Sequence, residues 1–118
     1  MTKGKYKFEW TNKEIKTEKE FVERINSISM KSNEEEFETV ARLWFRDDDG
    51  QKPIMIELVA PNKSTTDDEP CWLDAYIVED MEDNNHENYC DSTSVPNITF
   101  EEVKEDMLEY AKRVYFGM

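Results

Sequence analysis

FETVARLWFRDDDGQKPIMIELV, residues 37–59, sets two apolar runs on either side of one acidic turn. In the first run Phe37, Thr39, Ala41, Leu43 and Phe45 alternate with Glu38, Val40, Arg42, Trp44 and Arg46. A period of two sends successive side chains to opposite faces, so this run reads as a strand with one face in a core. Asp47-Asp48-Asp49-Gly50 turns the chain, with Gly50 suited to the positive φ that tight hairpin loops require. Pro53 lacks a donor for the first rung, and Ile54-Met55-Ile56-Glu57-Leu58-Val59 returns as the second strand. The stretch predicts an antiparallel hairpin, and the rest of the chain is read around it.

Downstream, residues 60–70 form a polar loop between prolines, and Cys71–Val78 reads as a third strand of the sheet. Its two faces are Cys71, Leu73, Ala75 and Ile77 against Trp72, Asp74, Tyr76 and Val78. Residues 79–97 show no period and are expected to be a long acidic loop, a length that in a compact domain points to function or disorder. Upstream, Tyr6, Phe8 and Trp10 alternate with Lys7 and Glu9 as another strand. Thr17-Glu18-Lys19-Glu20 and Thr99-Phe100-Glu101-Glu102 are capping boxes that start helices. The first helix is expected over residues 18–30 with an apolar face of Phe21, Val22, Ile25 and Ile28. The second carries Phe100, Val103, Met107, Ala111 and Val114 at helical spacing. The order β-α-β-β-β-α predicts a single α+β domain. About four antiparallel strands carry two helices on one face, and 118 residues suit one core.

Charge is placed unevenly. Residues 1–63 hold 13 acids and 12 bases, whereas residues 64–103 hold 12 acids and no Lys or Arg. That stretch accounts for −12 of the formal net charge of −13. Such an imbalance repels nucleic acid and anionic membrane and attracts basic surfaces. Direct nucleic-acid binding is disfavoured, because affinity for the backbone comes from Lys and Arg neutralising phosphates. No stretch approaches the roughly 20 apolar residues of a membrane span, and the first residues lack the apolar core of a signal peptide, so a cytoplasmic location is expected.

The residue types that carry chemistry are sparse. His86 and Cys90 lie four apart in what reads as an exposed loop. Acidic neighbours raise a thiol's pKa, so a nucleophile–base pair is disfavoured there. One His and two Cys cannot complete a four-ligand zinc site without a carboxylate. Asp83-Asn84-Asn85-His86-Glu87 opens like a calcium loop, but Asn88 stands where the glycine belongs and Ser94 where the bidentate glutamate belongs. No glycine-rich phosphate loop is present, and no cofactor or metal is expected.

What remains is a binding role without catalysis. Twelve carboxylates equal the charge of about 20 Å of duplex DNA, at one charge per about 1.7 Å. The residues expected to meet a basic partner are Asp67, Asp68, Glu69, Trp72, Asp74, Tyr76, Glu79, Asp80, Glu82, Asp83, Glu87 and Tyr89. Carboxylates there would speed encounter, and the aromatics would slow release. The plain alternative is that the carboxylates only keep loops solvated. In size, acidity and lack of catalytic groups the chain resembles the small inhibitors that phages and mobile elements direct against CRISPR nucleases or restriction enzymes. It resembles, second, the immunity proteins that neutralise basic toxin nucleases. The resemblance is one of type, without a diagnostic motif, and implies occlusion of a basic groove.

Overall fold

Alternating side chains need a partner on each edge, and the chain supplies one by folding back on itself four times. The computed structural model describes residues 4–29, 37–47, 51–61, 71–95 and 98–117. Strands β1 (Lys5–Trp10), β2 (Phe37–Arg46), β3 (Ile54–Pro61), β4 (Cys71–Ile77) and β5 (Tyr89–Val95) form one sheet in that spatial order. Every neighbouring pair is antiparallel. Helices α1 (Glu18–Ser29) and α2 (Phe100–Gly117) lie on one face, making the expected α+β domain. The Asp48–Gly50 part of the turn, Met30 at the expected helix end, and Asp67, Asp68 and Glu69 lie outside the described residues.

The sheet has five strands rather than about four, because residues 89–95 of the expected 79–97 loop form β5. Its period of two is broken by a bulge. Asp91 pairs with Ala75 and Tyr89 with Tyr76, leaving Cys90 as the extra residue. A bulge puts two consecutive residues on the same side, so the alternation of YCDSTSV disappears from the sequence. At the other margin β3 continues through Ala60 and Pro61, which the sequence assigns to a loop.

A second bulge, between Thr39 and Ala41, changes which residues of β2 face the helices. Val40 and Ala41 are both fully buried in the main core. Thr39 is sent to the opposite face, the reverse of the expected alternation. The disturbed carbonyls are not left unpaired: the Thr11 hydroxyl lies 2.8 Å from the Thr39 carbonyl and 2.9 Å from that of Val40.

Between sheet and helices, Leu43, Phe45, Ile54, Ile56, Leu58, Leu73 and Ala75 meet Phe21 and Ile28 of α1 and Val103, Met107 and Ala111 of α2. Tyr110 and Tyr115 are also buried there, although the apolar stripe of the sequence omits them, while Val22 is 44% exposed and lies off the core face of α1. Aromatic rings close one end: Trp10 stacks on Phe100 at 5.5 Å and is edge-on to Phe8 at 5.1 Å.

In the caps, Thr17 and Thr99 bond the carboxylates of Glu20 and Glu102 directly. The first-turn carboxylate of α1, Glu18, accepts the Phe100 amide of α2 at 2.8 Å. Among the described residues no helix is long and apolar enough to cross a membrane.

Candidate functional site

The sheet register builds the second face. Glu9 pairs with Arg42, Arg42 with Glu57, Glu57 with Asp74 and Asp74 with Ser92, so one polar row crosses all five strands. Beside it runs an apolar row of Trp44, Met55, Tyr76 and Tyr89, ended by Lys7, whose ammonium lies 5.4 Å from the Trp44 ring centroid. Both rows point away from the helices.

Glu57 is the centre of the polar row and is only 2% exposed. A buried carboxylate is costly unless charged and hydrogen-bonding partners surround it. Arg42 Nε donates to Glu57 Oε2 at 2.8 Å, and His86 Nε2 lies 2.8 Å from the same oxygen. Thr39 Oγ1, on this face because of the bulge, stands 3.4 Å from Oε1. The His86 ring stacks on Tyr76 at 4.6 Å, and Tyr76 meets Tyr89 edge-on at 5.8 Å.

Asp74 accepts the Trp72 indole N–H at 3.0 Å. Burial pushes the Asp74 carboxyl above its usual range, the Trp72 bond works against that, and the nearby Glu57 charge adds to it. Burial likewise pushes the Tyr76 phenol up to about 12, helped by the charges of Asp74 and Glu57.

The segment between β4 and β5 folds back over the apolar row instead of standing off in solvent. Met81 packs on Trp44, Met55 and Val78. The Trp44 indole N–H donates to the Asp83 carbonyl at 2.8 Å. Its acids and amides also bond the local backbone. Asp80 accepts the Glu82 amide, Asp83 accepts those of Glu79 and Asn85, and Asn85 accepts that of Glu87. Asx turns of this kind explain much of the Asp/Asn content. Lysines from elsewhere answer two more of its carboxylates: Lys52 reaches Glu79 at 2.6 Å, and Lys7 reaches Glu82 at 3.3 Å.

The structure therefore brings Trp72, Asp74, Tyr76 and Tyr89 together on one face and hangs Glu79, Asp80, Glu82, Asp83 and Glu87 beside them. It also adds Arg42, Glu57 and His86, which the sequence reading did not count among the partner-binding residues. Arg42 and Glu57 had a signal, since the β2–β3 register matches positions summing to 99 (Arg42 with Glu57, Trp44 with Met55). That centre falls between positions 49 and 50, at the turn read from the sequence. His86 had none, because its contact depends on how residues 78–88 fold back.

Comparisons with protein-family models, with curated proteins and with solved structures find no match.

Chemically the face is suited to contact. Cys90 is a β5 bulge residue packed on the core, not the exposed loop residue expected. Its Sγ lies 3.6 Å from the Asn88 carbonyl. Burial, and then Asp91, push its thiol up, which disfavours the thiolate. His86 spends Nε2 on Glu57. Among the described residues, no three His, Cys, Asp or Glu side chains are grouped to hold a metal ion. Cys71 and Cys90 are both free. Cys71 pairs with Val95, five residues along β5 from Cys90. That separation is about 16 Å at a strand's rise, far beyond the roughly 7 Å limit for bridging Cα atoms.

Proposed function

We propose that this is a non-catalytic acidic binding protein that occludes a basic groove of a nucleic-acid-processing enzyme. One observation carries the reading: residues 71–95, which form one edge of the sheet and its overlying loop, hold seven carboxylates and no Lys or Arg. Two of the seven meet lysines from other parts of the fold, and the surplus remains strongly negative. Beside it stand Tyr89, 58% exposed, and the half-buried Trp72 and Tyr76. Aromatic anchors framed by like charge combine long-range steering with a contact that resists dissociation. The partners so implied are basic proteins, not nucleic acid or membrane.

The test is a panel of purified nucleases from three classes: CRISPR effectors, restriction endonucleases and toxin nucleases. Cleavage of DNA is followed as the protein is titrated in. Stoichiometric inhibition of one class, weakened as salt rises from 50 to 300 mM, is the expected result. Glu79→Gln with Asp80→Asn, Glu82→Gln and Asp83→Asn should slow association more than it speeds release. Inhibition that ignores both salt and these changes, or no inhibition of any class, rejects the reading.

A further inference from the structure

β5 is the last strand of the sheet, and among the described residues no strand lies beyond it. An edge strand leaves a row of backbone donors and acceptors that another chain can use. α2 lies mainly over β2 and β3, and the helix-side residues Cys90, Thr93 and Val95 of β5 are only half-buried. Between α2 and β5 is a recess of about 200 Å³, floored by Leu73, Thr93 and Val95 and walled by Asp106, Glu109, Tyr110 and Arg113. On the opposite face of the same strand a second recess of about 420 Å³ lies against Trp72 and residues Ser92–Ser94. A strand placed beside β5 would therefore find space for side chains of either parity.

We propose that the free edge of β5, from Asp91 to Val95, receives an extended segment of a partner protein as a sixth strand, with every second residue a Lys or Arg entering the recess beside α2. This rests on the reading of the protein as a binder of basic surfaces and names the segment it takes.

The chemistry of the edge selects the occupant. Asp91 pairs with Ala75 on the helix-facing side, where its carboxylate accepts the Tyr110 hydroxyl at 2.9 Å. An inward-pointing charge on an edge strand deters apolar strands, which would bury it with no opposite charge. A cationic residue opposite it, with Cβ atoms about 5 Å apart, turns that cost into attraction. Asp106 and Glu109 stand above, and Arg113 is the one cation among the described residues that line the recess. Burial, followed by repulsion from Glu102, Glu109 and Glu105, pushes the Asp106 carboxyl up, so an incoming cation relieves an existing strain of charge.

A second copy of this chain is a poor occupant, because each copy carries a net charge of −13 and would bring its own Asp91 to the seam. The bulge at Cys90 ends regular pairing on one side, limiting the added strand to about five residues, or about 17 Å. Residues of the other parity, turned toward Trp72, Ser92 and Ser94, should be apolar. The predicted segment alternates basic and apolar residues.

The test uses the full chain, labelled with ¹⁵N, and an acetylated, amidated seven-residue peptide alternating Lys and Val. A peptide of the same composition with its lysines and valines in separate blocks is the control. Chemical-shift changes should centre on residues 91–95 and 106–113, with slowed amide exchange in β5. Asp106→Lys with Glu109→Lys should weaken binding at least tenfold. Asp106→Asn with Glu109→Gln, which is gentler on the helix, should weaken it several-fold. Glu9→Gln with Glu14→Gln, on and beside the opposite edge strand β1, should change it less than twofold.

The inference fails if the blocked peptide binds equally, if the shifts centre on residues 79–87, or if no binding occurs at low salt. It also fails if sedimentation shows a dimer without peptide and the amides of residues 91–95 are already protected in it. The broader reading is judged separately by the nuclease panel. Inhibition undiminished in the Asp106→Lys, Glu109→Lys protein would leave occlusion standing and overturn only the strand-addition site.

Discussion

Replacing Arg42 by Met tests whether the buried carboxylate at the centre of the open face is a true energetic pair. Arg42 is 23% exposed along its side chain and Glu57 2%, with 2.8 Å between Nε and Oε2. Removing one member of a fully buried ion pair costs about 3–5 kcal/mol, because the other charge is left uncompensated. Here water reaches Arg42 and His86 remains on the same oxygen, so about 2–3 kcal/mol is expected. Met keeps most of the apolar stem, which confines the loss to the charge and its hydrogen bond.

Glu57→Gln keeps an accepting oxygen and should cost about 1 kcal/mol. The double variant removes both charges, so its cost should fall below the sum by about 1–2 kcal/mol. Urea unfolding followed by tryptophan fluorescence measures this. For a domain of this size each kcal/mol moves the melting point by roughly 4 °C, so Arg42→Met alone should lower it by about 8–12 °C. Costs that add within about 0.5 kcal/mol would show that the pair carries no coupling and that Glu57 is satisfied some other way.

Two further outcomes follow from the site. Asp74 holds its proton more tightly in the fold than its usual value of 3.8, so that contribution to stability is present in acid and lost as pH rises through the folded value. Asp74→Asn should accordingly gain stability relative to the parent between pH 3 and pH 7 in matched urea titrations; an equal offset at both pH values contradicts the assignment. Burial pushes the Cys71 thiol up to about 11. At pH 8 its smaller thiolate fraction should make it react with an aromatic disulfide reagent roughly tens of times more slowly than an unperturbed thiol, and mass analysis under oxidising conditions should find no Cys71–Cys90 bridge.

The hairpin, both helix starts and the third strand of the meander were legible because each depends on local pattern. Capping residues act within one turn, and alternation acts between neighbours. The two bulges were not legible. An inserted residue at Val40 or Cys90 leaves composition unchanged while reversing faces, and only pairing with the next strand reveals it. The same limit governs the site. Trp72, Asp74 and Tyr76 share a face by period alone, whereas His86 reaches Glu57 through a loop whose path depends on Met81 finding Trp44. The acids of that loop looked uniform in the sequence. In the fold Asp80 and Asp83 hold turns, Glu79 and Glu82 meet lysines, and Glu87 is exposed, so equal charges have unequal freedom to meet a partner.

The bond from Phe100 N–H to Glu18 spans 82 positions, and the Trp10–Phe100 stack beside it spans a comparable distance. Each sheet pairing, by contrast, joins strands adjacent in the chain. The polypeptide can thus zip its meander by short closures and clasp its first and last quarters at the end. Contacts made after the rate-limiting barrier govern how fast the native state opens, not how fast it forms. If the Glu18 clasp forms late, its loss speeds unfolding more than it slows folding.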